Sequence, residues 1–293
     1  MVLYGTKIFS DIDWRHQFAA SGVYRQELSL ECSVPDWAER LARRSYIQTT
    51  HRHETFLRTD PSDALWQPRE YWAYEIAGLG VFFADRQKHR VLYQWEADPW
   101  QMEFWFAHLF MPLWLALESD ALLLHASAVE IGNEAVIFCA PSYGGKSTLA
   151  HFLMQQGHRL ITDDTIALFP KNGRFVTTGS VPYSRPYREF ETLGEYVPNF
   201  LTQWCDAAHL YLLARGDDAM HQSRFIPLHG IARFTSLHKS SLIYNFPHLK
   251  IRQLRDTGTL FETAQVTHLE RPWGKVYLPA LYTEILNHLK RDR

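Results

Sequence analysis

Apolar and polar positions alternate only in short pieces along the first hundred residues, which predicts strands joined by polar turns. Val23 to Glu31 (VYRQELSLE) partly alternates and is followed by Pro35. Glu75 to Asp85 (EIAGLGVFFAD) and His89 to Trp95 (HRVLYQW) flank a polar turn and predict a hairpin. The pattern then becomes almost continuously apolar over Pro99 to Glu118, predicting a helix with Pro112 as a kink or boundary. The greasiest part, Phe104 to Leu117, has 14 residues and contains His108. That is too short to span a bilayer and predicts a buried helix. Glu118-Ser119-Asp120 breaks the run and places a domain boundary there, giving an α+β N-terminal domain over 1–118 and a second domain over 119–293.

The second part has a different grammar. Ala121 to Val129 and Ala135 to Cys139 are apolar strands around the turn-like Gly132-Asn133. Ser147 to Gln156 has helical spacing, with Leu149, Phe152 and Leu153 on one side and Gly157 as the C-terminal cap residue. Arg159 to Thr162 (RLIT) is a strand running into Asp163-Asp164, expected to lie beside the loop strand. Strand, glycine loop, helix, strand is the order of a βαβ unit, so the class is α/β with an open sheet. The chain closes on an amphipathic helix, Ala280 to Lys290, with Leu281, Ile285, Leu286 and Leu289 on one face.

Composition narrows the partners. With 293 residues, 46% hydrophobic and 21% charged, the chain can bury a core. A net charge of -2 gives no general electrostatic reason to expect nucleic acid or an anionic membrane. Three distant cysteines, Cys32, Cys139 and Cys205, suit a reducing cytosol rather than a disulfide framework, and they lack zinc-site spacing. The N-terminus has no apolar signal core, so a cytoplasmic location is expected.

The chemistry concentrates in CAPSYGGKSTLAHFLMQQGHRLITDD, Cys139 to Asp164. The phosphate-loop pattern G-x-x-x-x-G-K-[ST] appears here as Ala140-Pro141-Ser142-Tyr143-Gly144-Gly145-Lys146-Ser147, followed by Thr148, with Ala140 in place of the first glycine. Gly144 and Gly145 would let backbone N–H groups turn toward phosphates. Lys146 would supply the charge and Ser147 a hydroxyl for Mg2+. The helix start would favour an anion. One carboxylate of Asp163-Asp164 would hold the metal, with the other facing a substrate hydroxyl; the plainer reading is a pair capping the next turn. His125 alone would most simply be a core histidine. Arg185 and Arg188, in PYSRPYREFE, are most simply exposed loop residues, although either could steady a phosphate.

LLHASAVE, PSYGGKSTLAHFL and QQGHRLITDD together resemble the catalytic domain of the HPr serine kinase/phosphorylase family. They resemble more closely the HPr-kinase-related proteins found beside peptide-modification genes, lasso-peptide kinases among them. The resemblance is clear over Leu122 to Leu168, weaker in VTHLERPWGKVYLPAL, and vague in YRQELSLECSVPDW. It implies a P-loop kinase domain of the HPr kinase/PEP carboxykinase-like fold that uses ATP and Mg2+. Lys146 would polarise the phosphates, Ser147 would help hold Mg2+, and Asp163 or Asp164 would take the proton from an attacking serine hydroxyl. His125 would sit beside that pair, and His158 would cap or pack near the helix end. Glu189 stands at a suitable distance for a second metal carboxylate. The chain departs from HPr kinase proper at Ala140, in HASAVE, and in lacking a Glu-Ile-Arg-Gly signature, which argues against HPr itself as the acceptor.

The expected function is therefore Mg2+-dependent transfer of the ATP γ-phosphoryl group to a serine hydroxyl of a peptide or protein, a ribosomally made precursor such as a lasso peptide being one example. The N-terminal domain would bind the acceptor or simply cover the sheet, and homo-oligomers are in keeping with the family. The rival is a nucleotide-gated accessory protein that binds a peptide without phosphorylating it.

Overall fold

A computed structural model describes residues 1–50, 53–60, 70–185, 191–238 and 247–291. The chain forms an α/β architecture of two compact units. Unit 1 comprises Met1–Asp120, Arg188–Gly194 and Ile243–Arg252, and unit 2 the remainder.

Unit 1 is built on an eight-stranded mixed sheet. Its strands are β1 (Val2–Leu3), β2 (Thr6–Ser10), β3 (Gln26–Cys32), β4 (Ala42–Thr50), β5 (His53–Thr59), β6 (Tyr71–Ile76), β7 (Gly80–Asp85) and β8 (Arg90–Trp95), in the order β1-β2-β3-β8-β7-β6-β5-β4. The expected hairpin of β7 and β8 is present. The stretch Glu75 to Asp85, however, spans the end of β6, a turn at Gly78 (φ 77°) and the whole of β7. The turn is hidden in the sequence because Ala77 and Leu79 are apolar, and Leu79 is buried.

The apolar run after β8 winds as α1 (Pro99–Trp105), one π turn over Phe106–Phe110, and α2 (Met111–Glu118). Pro112 is in the first turn of α2 and has no N–H to offer the preceding turn. The Met111 N–H reaches back to the Phe106 carbonyl, the longer bond of a π turn. Alternation of β6 and β7 sends Trp72 and Phe82 to the face covered by this helix, where their rings lie 5.5 and 4.8 Å from Phe110. Ala73 and Phe83 face the other way, toward a core around Trp37. Arg252 donates to the carbonyls of Ala116 and Ser119 (2.6 Å each), satisfying acceptors that the end of α2 leaves open.

Unit 2 contains β9 (Leu122–Ile131), β10 (Glu134–Cys139), α3 (Lys146–Gln155), β11 (Arg159–Thr162), β12 (Thr165–Lys171), β13 (Arg174–Thr177), β14 (Tyr183–Ser184) and β15 (Glu195–Tyr196). Then come β16 (Cys205–Arg215), β17 (Arg224–Pro227), α4 (Ile231–His238), α5 (Pro247–Thr263, begun in unit 1), β18 (Gln265–Arg271) and α6 (Leu278–Arg291). Strand β10 pairs with β9 on one edge and β16 on the other, while the β12–β13 hairpin pairs with β9 and β16 as well. Five strands thus close a circuit, and the open sheet expected from local pattern is corrected. Strand β11 pairs with β9 rather than with the loop strand β10, a second correction. Because β10 and β11 are both antiparallel to β9, they run parallel to each other with β9 between them.

Alternation along β10 decides which helices cover which face. Val136, Phe138 and Ala140 pack with Leu149, Ala150 and Leu153 of α3 and with Leu281, Ile285 and Leu289 of α6. Ala135, Ile137 and Cys139 face a second core that includes Leu260 and Phe261 of α5. Gly157, in the left-handed region at φ 95°, ends α3 as its sequence position predicts.

Candidate functional site

The loop from Ala140 to Gly145 leaves the carboxyl end of β10 and enters α3 at Lys146. Gly145 adopts φ 80°, a conformation that costs L side chains energy, and a Cβ there would collide with the Arg271 guanidinium. Gly144 has no room either: a Cβ would stand 2.5 Å from the Ala140 Cβ. The Gly144 N–H donates to the Pro141 carbonyl at 3.0 Å, making the loop a tight turn. Tyr143, with φ 62°, projects into solvent at 90% exposure, and Pro141 and Ser142 are exposed as well. Lys146 is buried, its Nζ donating to the carbonyls of Ala140 (2.9 Å) and Pro141 (3.4 Å). Thr148 is half-buried in the first turn of α3.

Strand β11 delivers the two carboxylates. The backbone bends at Asp163 and Asp164 before β12 begins, so the pair is not held to the opposite-face rule of a continuous strand. Asp163 is buried and accepts hydrogen bonds from Ser127 Oγ (2.8 Å), Ser184 Oγ (3.1 Å) and the Arg185 backbone N–H (2.7 Å), with the Ser147 side chain nearby. Burial raises its carboxyl pKa above the ordinary value, and the Arg185 N–H, followed by Ser127, Ser147 and Ser184, offsets part of that rise.

Asp164 is the more open of the two, its side chain 24% exposed. His125 approaches it from β9, with Nδ1 2.9 Å from the Asp164 carbonyl and 3.5 Å from its carboxylate Oδ1. A carbonyl only accepts, so Nδ1 carries a proton in this contact. His125 and Ser127 share the face of β9 that carries Val129 and Ile131 toward α3, which is why one strand serves both carboxylates.

The structure therefore gathers Lys146, Ser147, Asp163, Asp164 and His125 in one place. His158 packs as expected near the end of α3, its Nε2 3.1 Å from the Tyr282 hydroxyl, and burial lowers its pKa. Arg185 is a correction: it is buried, and its backbone serves Asp163. Glu189 and Arg188 lie outside the described residues.

Ser127, Ser184 and Arg271 escape sequence reasoning. Ser127 carried a faint signal, two positions after His125 on an alternating strand. Arg271, at the end of β18, is buried and donates to the Gly144 carbonyl at 3.1 Å. Its guanidinium lies 5.1 Å from the ring centre of Trp273, and burial lowers its pKa.

Chemically, Lys146 and the start of α3 bring positive charge to the loop, with Lys146 Nζ and the Gly144 N–H bonded to the loop's own carbonyls. Among the described residues no three His, Cys, Asp or Glu side chains gather as a metal cage. Mg2+, which draws on few protein ligands plus phosphate oxygens and water, needs none. Ser147 and Asp163 place a hydroxyl and a carboxylate near one another, a donor set that fits such an ion.

No protein-family model matches the chain, and no curated protein sequence matches it. A solved structure of the HPr(Ser) kinase/phosphatase from Coxiella burnetii is similar to it at 15% identity and a TM-score of 0.34, over 58% of this chain and 99% of that one. The likeness to the HPr-kinase/phosphatase fold is distant. No helix among the described residues is long and apolar enough to cross a membrane.

Proposed function

We propose that unit 2 is an ATP-dependent kinase acting on a serine-type hydroxyl of a peptide or protein. The observation that carries this reading is the placement of Ser147, at the start of α3, beside Asp163, at the end of β11, with Asp164 and His125 alongside. Lys146 and the α3 N-terminus would hold the phosphates, and Ser147 with Asp163 would hold Mg2+. When bound, the ion would neutralise charge on the phosphate oxygens. Asp163, enclosed by the Ser127 and Ser184 hydroxyls and the Arg185 N–H, is poorly placed to receive a substrate proton. Asp164, open to solvent on one side, is the better general base: it would take the acceptor hydroxyl's proton as the new O–P bond forms and the bond to the ADP leaving group breaks. His125 would hold Asp164 in position from β9. Unit 1 would recognise the acceptor.

The test is incubation with Mg2+, γ-labelled ATP and the small-peptide fraction of the host. Label should appear on a peptide with wild type and vanish with Lys146→Ala. Asp164→Asn should lose turnover while keeping ATP affinity. Tight ATP binding with no label transferred to any acceptor would sink the kinase reading and leave a nucleotide-gated accessory protein.

A further inference from the structure

Strands β10, β16 and β18 run parallel, and the loop from Ala140 to Gly145 leaves the carboxyl end of the first while Arg271 closes the last. Ligands of α/β sheets collect beyond such strand ends. Arg271 shares a face of β18 with Leu269, which packs in the core under α3, so its side chain emerges on the α3 side. There it meets the carbonyl of Gly144 and presses on Gly145.

This is an expensive place for a guanidinium. Arg271 is 5% exposed, and its Nε finds no hydrogen-bond partner among the described residues. No carboxylate of the described residues pairs with it: the adjacent Glu270 is engaged by Arg224 and His268 instead. A single carbonyl and the Trp273 ring use little of a five-donor fork. Buried cations without a counter-charge are costly, and an anion is what offsets them. A brace for the loop would need only a neutral donor.

We propose that Arg271 is a polyphosphate-binding residue, completing from the β18 side the anion site that Lys146 begins. The proposal rests on the nucleotide reading above and names one further contact within it. The guanidinium fork offers paired donors to phosphate oxygens, geometry that a lysine does not reproduce.

Calorimetry with ATP, inorganic tripolyphosphate and adenosine, on wild type, Lys146→Ala and Arg271→Gln, tests it. Arg271→Gln should weaken ATP and tripolyphosphate alike, by about 10- to 100-fold, the usual worth of a charged hydrogen bond. Adenosine binding should not change between wild type and Arg271→Gln. Tripolyphosphate affinity within about twofold of wild type would overturn the proposal and leave Arg271 a loop brace. If wild type binds neither ATP nor tripolyphosphate, the nucleotide reading itself has failed. A second measurement does not depend on Arg271→Gln folding. In the arginine Nε–H spectrum of wild type, the resonance absent from Arg271→Lys should shift on adding tripolyphosphate. An unmoved resonance would also overturn the proposal.

Discussion

Removing the Asp163 carboxylate should separate two contributions that the site combines. Its three hydrogen-bond donors are not equivalent. The hydroxyls of Ser127 and Ser184 can rotate and become acceptors, whereas the Arg185 backbone N–H, 2.7 Å from Oδ2, cannot. Asp163→Asn keeps one oxygen for that N–H and for Ser184, and turns its NH2 toward Ser127, which can accept. It should therefore stay within about 1 kcal/mol of wild type. Asp163→Ala strands a buried N–H, which costs roughly 1–3 kcal/mol. At about 2–4 °C per kcal/mol for a domain of this size, the melting temperature of unit 2 should fall by roughly 2–12 °C. Thermal unfolding of the two variants beside wild type, with ATP absent, reads the difference. Equal destabilisation by Asn and Ala would refute the reasoning, because it would make the carboxylate's charge rather than its acceptor geometry the stabilising element.

The same residue gives a pH signature. Burial raises its folded pKa above the unfolded value near 4, so its contribution to stability is whole below that value and is lost as pH climbs through the folded pKa. Melting temperatures from pH 4 to 8 should show Asp163→Asn gaining on wild type as pH rises and then levelling off; a pH-independent gap would contradict this. Gly145→Ala meets both a left-handed φ of 80° and the Arg271 guanidinium, so it should lose about 1–3 kcal/mol of stability and most nucleotide affinity. A variant that melts and binds like wild type would show that the loop does not need this conformation.

What was legible in the sequence was whatever local periodicity and glycine chemistry determine. Strands β9, β10 and β11, helix α3 and its Gly157 cap follow from spacing within a few dozen residues, and so does the clustering of Lys146, Ser147 and the aspartates. Strand adjacency was not legible. Nothing in RLIT states that its neighbour is β9 rather than β10, because either pairing buries the same alternating side chains. The closed circuit was hidden for the same reason, since it depends on β16 offering one edge to β10 and the other to β13. Ser127, Ser184 and Arg271 were missed because a serine on a strand or an arginine before a proline carries no period. They matter only through a carboxylate or a loop far away along the chain.

The π turn between α1 and α2 and the carbonyls closed by Arg252 have a consequence for anyone who would divide the protein. Helix α2 ends at Glu118, yet the side chain that completes it arrives from residue 252, and Glu191 accepts from Gln101 (2.6 Å) and Trp105 (3.3 Å) of α1. The chain leaves unit 1 and re-enters it twice. No single scission after Asp120 can therefore yield an intact first half: the fragment would keep its sheet but leave the helix above it with unclosed carbonyls and orphaned indole and amide donors. The two units are interleaved along the chain, so a truncation meant to remove one also removes part of the other.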